Sequence, residues 1–313
     1  MSAAGFSARG PLLAALAMAL GLMGCGQQPS ARVSLCGPAG QLRVGFVGAE
    51  EGRGSTGAVV LPDQDISRLR DLLTVASQCE VMLEPVASPE QAHQRLGASE
   101  WDVAFLPPGL AALALESSAN RGYSLLRPLG QRSQSRSQLL VRAGSDRRAV
   151  ADLKGARLGL LPRGSLTGFY LPLYNLHGLS LQSVHYALSY QELLDQLRKG
   201  QLDVIAWDAA LPDPGGDVRV IVNDPNLIPV GALVLSQPLV AADHQPFLKL
   251  LDESAAQLPP SLGYVAGVLP EAQPLQRLRT VVTNVESWTL PLEGRPYAVY
   301  GRKQQLKDEG VMR

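Results

Sequence analysis

The sequence contains one arrangement of strands and helices twice, and this repeat restricts the fold more than any other feature does. Each copy has an apolar strand, a turn, a helix, a second strand, a capped helix, and an Asp that begins a third strand. Ser88 precedes Asp102 by 14 residues, and Ser189 precedes Asp203 by 14 residues. Strands that alternate with helices are typical of α/β proteins with parallel sheets. The repeat therefore predicts two similar α/β lobes, each a mostly parallel sheet with flanking helices.

The two capped helices share a sequence signal at their start. Ser88 and Ser189 are each followed three residues later by Gln or Glu, which makes a capping box, and Pro89 fits the first helical position. The predicted strands are 42–47, 81–86, 102–106, 156–161, 184–188 and 203–206, and the other predicted helices are 65–76, one that ends near 176, and 246–257.

Two further extended stretches, Ser137–Arg142 and Pro229–Leu235, lie where the lobes would connect. If the chain crosses between the lobes at both, the crossings form a hinge that lets the lobes close around a ligand. The expected lobes are 37–139 with 234–313, and 140–233. Ligands of open α/β sheets bind outside the carboxyl ends of the strands, so the loops that follow the strands are the candidate site.

Residues 1–24 are expected to be a signal peptide that is not part of the fold. The apolar run 12–23 is shorter than the ~20 residues that span a bilayer, and it suits a signal-peptide core. The run ends Leu-Met-Gly-Cys, which resembles the lipobox of bacterial lipoproteins. The resemblance implies that Cys25 is lipidated and that 25–36 is a tether. An ordinary signal peptide with a chance Cys is the alternative.

The other two cysteines are expected to form a disulfide, because disulfides persist outside the cytoplasm. Cys36 lies just before the first predicted strand and Cys79 just before the second, and neighbouring parallel strands would bring them together. The bridge would close a loop of roughly 44 residues, worth roughly 4 kcal/mol in the chain-entropy account. Two buried free thiols are the alternative.

The strongest candidate for ligand contact is a turn between a predicted strand and a helix. A helix N-terminus offers free N–H groups and partial positive charge, glycines leave the backbone uncovered, and Ser and Thr add hydroxyl groups. The candidate residues of this turn are Arg163, Gly164, Ser165, Thr167 and Gly168. An ordinary turn with a Ser cap is the alternative, and Pro172 implies that the first helical turn is loose or kinked.

Trp207 and Asp208 end the sixth predicted strand and are expected to face the cleft. The Asp208 carboxylate would accept a hydrogen bond from a protonated oxyanion or a ligand amine, and it would repel a bare dianion. Trp207 would stack on the ligand or close the cleft. The alternatives are a helix cap for Asp208 and a core position for Trp207. Asp102 and Asp203 are expected to cap strands or turns.

Composition and charge exclude several classes of protein. The chain has 28 basic and 28 acidic residues, so no basic excess is present to neutralise nucleic-acid phosphates. Hydrophobic residues make up 46% of the chain and charged residues 18%, which does not fit a disordered protein. None of the four His has metal-binding spacing, and no nucleophile elbow is present. We therefore expect no enzyme activity, cofactor or metal.

The segment 151–155 contains Asp-Leu-Lys-Gly, a strand follows, and the turn then contains Ser-x-Thr-Gly at 165–168. This series, with Pro172 and Tyr174 downstream, resembles the periplasmic phosphate/phosphite/phosphonate-binding proteins of ABC transporters. The resemblance implies a two-lobed type II periplasmic-binding fold with two hinge crossings, and a turn that contacts a phosphorus oxyanion. The Asp-Leu-Lys-Gly motif also occurs in sulfonate and thiamine-precursor binders.

The resemblance also implies cleft positions in both lobes, and some of them differ here. Pro108 follows the third strand as in the family, but Ala111 stands where the family often has Tyr. Tyr190 stands where the second lobe often has His, and we retain it and Pro108 as candidate ligand contacts.

The expected function is that of a lipid-anchored solute-binding component of an ABC importer. It would capture phosphate, phosphite or a phosphonate as a monomer on the periplasmic or cell-surface face of a bacterial membrane and deliver it to an inner-membrane permease. Two alternatives remain open: a transport-inactive lipoprotein that acts as a sensory or interaction partner, and a binder of sulfonates or other small solutes.

Overall fold

The structure is a computed structural model, and it describes residues 35–37, 39–47, 61–86, 88–115, 122–131 and 135–300. The predicted signal peptide, the lipidation site at Cys25 and the glycine-rich loop after the first strand lie outside the described residues. No helix in the described ranges combines the length and apolar character needed to cross a membrane.

Two five-stranded sheets organise the fold. Sheet A contains, in order of pairing, β2 (Glu80–Val86), β1 (Gln41–Val47), β3 (Val103–Leu106), β11 (Gly231–Ser236) and β4 (Tyr123–Leu129). Sheet B contains β10 (Val218–Asn223), β5 (Ser137–Arg142), β9 (Val204–Asp208), β6 (Arg157–Leu160) and β8 (Ser183–Tyr186). A short third sheet pairs β7 (Ser180–Leu181) with β12 (Tyr297–Ala298).

Helices flank both sheets. The α-helices are α1 (Asp63–Ser77), α2 (Pro89–Gly97), α3 (Pro108–Ala114), α4 (Leu171–Asn175), α5 (Tyr190–Arg198), α6 (Gln237–Val240), α7 (Gln245–Glu253) and α8 (Ala272–Glu286). Shorter helical turns are Val150–Leu153, Leu166–Tyr170, Ala255–Gln257 and Pro260–Leu262. The predicted caps are confirmed, because the Ser88 and Ser189 hydroxyls accept hydrogen bonds from the amides of Gln91 and Glu192.

Each sheet is part parallel and part antiparallel, which refines the mostly parallel sheets that the repeat predicted. Strands β1 and β6, each next to an edge strand, pair in parallel with both neighbours, and β11 and β5 then add antiparallel strands. The stretches expected to be crossings largely form these two strands, because their apolar side chains are buried inside the sheets. The chain instead passes between the sheets just before β5 and just before β11, so the predicted lobe limits fall inside these strands.

The repeat in the sequence corresponds to a repeat in hydrogen bonding. Asp102 accepts a hydrogen bond from the backbone amide of Arg43 at 2.8 Å, and Asp203 accepts one from the amide of Arg157 at 2.9 Å. Each carboxylate therefore joins the start of the third strand of its half to the first strand. These contacts confirm that both Asp residues cap strands.

Helix α8 packs against both halves of the molecule, and none of the helices predicted from the sequence covers it. Its buried side chains Leu275, Leu278, Val282 and Val285 share one apolar core with α3, which follows sheet A strand β3, and with residues of α4 and sheet B. Hydrophobic burial of this stripe, worth about 1.5–3 kcal/mol for each large side chain, stabilises the position of α8 across the two halves.

The chain after α8 lies against the half that contains sheet B. Trp288 packs on His177, with ring centroids 5.1 Å apart. Glu293 accepts a hydrogen bond from the Tyr186 amide at 2.8 Å, and β12 pairs with β7. Residues 234–313 were expected to belong to the first lobe, whereas the part that follows α8 contacts the half that contains sheet B.

Cys36 and Cys79 form a disulfide in the structure, with their Cα atoms 5.5 Å apart. The bond connects the residues before β1 to the residue before β2, and β1 and β2 are parallel neighbours in sheet A. The disulfide therefore links β1 and β2 covalently at this end of the sheet.

Candidate functional site

The candidate ligand turn follows β6 and contains a π-helical turn, Leu166–Tyr170. In a regular α-helix the Pro172 ring would clash with the carbonyl of Gly168 and leave it without a partner. Here the Gly168 carbonyl accepts a hydrogen bond from the Leu161 amide at 3.0 Å. The wider turn thus resolves the conflict that Pro172 creates, and the expected irregular first turn is confirmed.

The Ser165 side chain closes the turn on itself. Its hydroxyl accepts a hydrogen bond from the Gly168 amide at 3.1 Å, and its carbonyl accepts from the amides of Phe169 and Tyr170. A Cβ atom at Gly168 would lie 2.6 Å from the Leu161 side chain, so the close approach of turn and strand requires glycine. Ser165 is therefore a helix cap in this structure, as its alternative interpretation stated.

A cluster of buried polar side chains lies beside this turn. The Thr167 hydroxyl is 2.6 Å from the Tyr190 hydroxyl and donates to Asp208 Oδ2 at 3.1 Å. Asp208 also accepts hydrogen bonds from the Ser135 hydroxyl and from the Ala210 amide. Thr167, Tyr190 and Asp208 each expose no more than 3% of their surface. The structure thus brings three predicted site residues together and adds Ser135.

The elements explain why these residues meet. Asp208 is the last residue of β9, Tyr190 is the first residue of α5, and Thr167 lies in the turn that follows the neighbouring strand β6. Carboxyl ends of parallel strands lie at one edge of a sheet, so the three side chains converge there. Trp207 packs edge-to-face on Tyr190 with centroids 5.6 Å apart, so it supports the cluster from the core.

Arg163 does not join this cluster. Its Nε atom donates to Glu286 Oε1 of α8 at 2.9 Å, its Nη2 atom donates to Oε2, and the Tyr170 hydroxyl donates to Oε1. Burial raises the pKa of Glu286, but the hydrogen bonds from Arg163 and Tyr170 outweigh burial, and the pKa lies below its ordinary value. The positive charge expected at the ligand turn is thus paired with a carboxylate that sequence reasoning missed.

The turn contacts the other half of the molecule directly. Gly164 has φ +104°, and a Cβ atom there would lie 2.3 Å from Cβ of Pro89 at the start of α2. A Cβ atom at Gly109, the residue after Pro108 in α3, would lie 3.6 Å from Cβ of Leu166. Pro108 is half-buried at the start of α3. The described halves therefore meet at the turn.

The electrostatics of the cluster favour a ligand that donates hydrogen bonds. Asp208 supplies a buried carboxylate, and the Arg163 guanidinium is held by Glu286. Hydroxyl groups surround Asp208, and they both donate and accept. In the described ranges no group of three or more His, Cys, Asp and Glu side chains lies together to hold a metal ion.

Two α/β halves joined by crossing segments, with a capped polar turn where they meet, are the architecture of a type II periplasmic binding protein. The sequence profile of a family described as "ABC transporter, phosphonate, periplasmic substrate-binding protein" matches residues 63–248, which is more than half of the chain. The chain belongs to this family. Its members are substrate-binding components of ABC transporters, which work with a membrane permease and are not enzymes.

Solved structures show the same fold at low sequence identity. XAC2383 from Xanthomonas citri bound to ATP has a TM-score of 0.58 and 15% identity, with 79% of this chain and 98% of that chain covered. PhnD1 from Prochlorococcus marinus in complex with methylphosphonate has a TM-score of 0.54 and 14% identity, with coverages of 79% and 98%.

A binding protein component of an ABC phosphonate transporter from Pseudomonas aeruginosa has a TM-score of 0.52 and 14% identity, with 77% of this chain and 85% of that chain covered. No curated protein matches the sequence. At these identities the structural likeness establishes the fold, and the ligand has to be argued from the site itself.

Proposed function

We propose that this protein captures a small phosphorus oxyanion between its two halves, at the 163–168 turn, and delivers it to an inner-membrane permease. The observation that carries the proposal is the buried Thr167–Tyr190–Asp208 cluster, which lies beside the turn that meets the other half. Family membership supports the transport role, and methylphosphonate, the ligand of the Prochlorococcus protein, is a suitable first probe.

The chemistry of the cluster narrows the ligand class. A ligand beside the Asp208 carboxylate fits best when it carries its own donor, as a protonated phosphonate, phosphite or phosphate does, or as an aminophosphonate does with its ammonium group. Thr167 and Tyr190 offer hydroxyl groups, and Pro108 and Gly164 lie where the two halves meet. Ser165, Gly168 and Trp207 hold these groups in place, and Arg163 acts through Glu286.

Thermal unfolding of the full-length chain tests the proposal. A ligand present at 100 times its dissociation constant adds about 2.7 kcal/mol to the free energy of unfolding. We expect methylphosphonate, phosphite, phosphate or 2-aminoethylphosphonate to raise the melting temperature. If none of the four does so, the phosphorus-oxyanion proposal fails. Sulfate and methanesulfonate in the same series test the sulfonate alternative.

A matched pair of variants tests the location of the site. Thr167→Val removes the hydroxyl that contacts Tyr190 and Asp208, and we expect it to weaken binding about 10-fold or more. Thr280→Val makes the same change on the exposed side of α8, where the hydroxyl bonds only a backbone carbonyl, and should leave binding unchanged. Equal binding by both variants would place the site elsewhere.

A second candidate is a binding-fold partner protein that no longer transports. It is favoured by the way the groups of the turn satisfy one another: the Gly168 amide donates to Ser165, and the Thr167 hydroxyl donates to Asp208. If this second candidate is correct, no anion or sulfonate in the series changes the melting temperature. Thr167→Val then changes the stability of the protein and has no effect on ligand binding.

The proposal includes a lipid anchor at Cys25, which suits delivery to a permease in the membrane. Several acyl chains on one Cys hold a protein stably, whereas a single chain is marginal. We expect the wild-type chain to sediment with bacterial membranes and Cys25→Ala to remain in the soluble fraction. Mass spectrometry of the N-terminal peptide identifies the modification, and an unmodified Cys25 in the mature chain would refute it.

A further inference from the structure

Helix α8 is bonded to both halves of the molecule from one of its faces. Arg279 donates a long hydrogen bond of 3.4 Å to the Leu115 carbonyl at the end of α3, and Glu286 binds Arg163 and Tyr170 of the other half. Arg279 and Glu286 are seven positions apart, which is about two helical turns, so they lie about 10 Å apart along the axis and on the same face. Helix α8 therefore bridges the halves as a rigid element.

The Glu286 carboxylate is fully engaged by the half that contains the ligand turn. Both of its oxygens accept from the Arg163 guanidinium, and Oε1 accepts from Tyr170 as well. The Glu286 side chain is only 14% exposed. Charge-assisted, two-point hydrogen bonds of this kind are strong and directional, so they fix the position of Arg163 and of Gly164 beside it.

The turn that this carboxylate holds contacts the first half. Gly164 packs on Pro89 of α2, and His93 lies four residues further along α2, on the same side of that helix. Burial opposes the lowered pKa of Glu286, the hydrogen bonds from Arg163 and Tyr170 lower it, and His93 adds a smaller electrostatic contribution. The ligand turn thus contacts both α2, through Gly164, and α8, through the bond of Arg163 to Glu286.

From these contacts we propose that Glu286 is a positioning residue that holds the 163–168 turn against α2 and so couples closure of the two halves to α8. The coupling itself is a property of the fold, while its consequence for ligand affinity rests on the function proposed above. Arg163 then serves binding by fixing Gly164 at the contact between the halves, and not by touching the ligand.

Hydrogen exchange measured by mass spectrometry on the full-length chain tests this proposal without a ligand. Glu286→Gln keeps the size of the side chain and removes its charge. We expect amide exchange to rise roughly tenfold or more in peptides that cover 163–171, and also in those that cover α2, which belongs to the other half. The control is Asp217→Asn, which weakens a two-point pair with Arg198 on the surface, at 2.7 and 3.0 Å. It should change neither region.

Which regions show faster exchange decides whether Glu286 couples the two halves. A rise confined to 163–171 and α8, or no rise at all, would show that Glu286 stabilises only its own neighbourhood, and the coupling would be refuted. If Glu286→Gln does not fold, Tyr170→Phe removes one of the hydrogen bonds to Glu286 and should give the same pattern with smaller amplitude. The exchanged pair Arg163→Glu with Glu286→Arg should restore protection in α2.

Titration with methylphosphonate separates this proposal from the function. If the wild-type chain binds it, Glu286→Gln should bind more weakly and Asp217→Asn should bind equally well. If the wild-type chain binds no anion, the proposed function fails, and the exchange pattern still decides whether Glu286 couples the halves.

Discussion

Gly164 meets two separate requirements at one position. Its φ of +104° lies in the region that favours glycine, and its α-carbon lies against Pro89 of the other half. We expect Gly164→Ala to keep the halves apart, with a larger radius of gyration in X-ray scattering and weaker ligand binding. Gly178→Ala is the control, because Gly178 has a similar φ of +93° with nothing within 4 Å of an added Cβ. Equal effects of the two changes would mean that backbone strain, and not the contact with Pro89, is responsible.

Asp208 should determine which anions the cluster accepts. Sulfate carries no proton at neutral pH and cannot donate to the carboxylate, whereas a protonated phosphonate can. We expect Asp208→Asn to improve sulfate binding relative to methylphosphonate binding, because the repulsion is removed. Isothermal titration of both ligands with both proteins measures the ratio. An unchanged ratio would place the ligand away from Asp208.

Asp252 makes the stability of the protein depend on pH. Hydrogen bonds from Arg127, with further support from Tyr264, lower the pKa of Asp252 although burial opposes them. A carboxyl group with a lowered pKa in the folded state contributes stability above its ordinary pKa of about 3.9, and loses it as the pH falls below that value.

We therefore expect Asp252→Asn to lower the free energy of unfolding by about 1.5–3 kcal/mol at pH 7 and by progressively less below about pH 4. Urea unfolding at several pH values measures the difference. The control Glu253→Gln removes an exposed partner of Lys249 and should have little effect at any pH. A constant loss for Asp252→Asn across the pH range would contradict the charge-based explanation.

At the scale of elements, the cap of α5 supports the site as well as the helix. The Ser189 hydroxyl accepts from the Glu192 amide at 3.1 Å, and the next residue, Tyr190, contacts Thr167. We expect Ser189→Ala to cost about 1 kcal/mol in the free energy of unfolding, and Ser189→Gly only a few tenths. Chemical denaturation measures both. If the glycine variant loses more stability than the alanine variant, the stability that Ser189 contributes does not come from its hydroxyl cap.

Local signals in the sequence predicted the elements that depend on neighbouring residues. The capped helices after Ser88 and Ser189 and the irregular turn before Pro172 follow from short-range rules on capping and on proline, and the structure has all three. The sequence carries no signal that β5 and β11 lie inside the sheets as antiparallel strands. An extended apolar segment has the same pattern in a crossing between lobes as in a sheet.

The site was predictable only in part, for the same reason. Thr167, Tyr190 and Asp208 follow strands whose carboxyl ends share an edge, so topology alone brings them together. Glu286 and Ser135 reach the site through contacts with residues more than 70 positions away, and no spacing rule connects them. The 3.6-residue pattern of Leu275, Leu278, Val282 and Val285 would have indicated α8 itself.

At the scale of the whole molecule, more than one connection holds the two halves together. Two chain segments cross between the sheets, and α8 adds a bridge that packs on α3 and on the turn that follows β6. The chain after α8 then joins the strands of the second half. A change that loosens α8 should therefore affect both halves, whereas a change within one sheet should remain in that half.

The disulfide acts at the scale of the whole chain, because it stabilises chiefly by restricting the unfolded state. It joins Cys36 and Cys79, which are 43 positions apart, and a loop of that size is worth roughly 4 kcal/mol in the chain-entropy account. We expect the double variant Cys36→Ser with Cys79→Ser to lose about that much in chemical denaturation under oxidising conditions. A reducing agent should lower the stability of the wild-type chain to a similar level and leave the double variant unchanged. A loss that persists between the two proteins after reduction would instead come from packing of Cys79, which is buried in the core of sheet A.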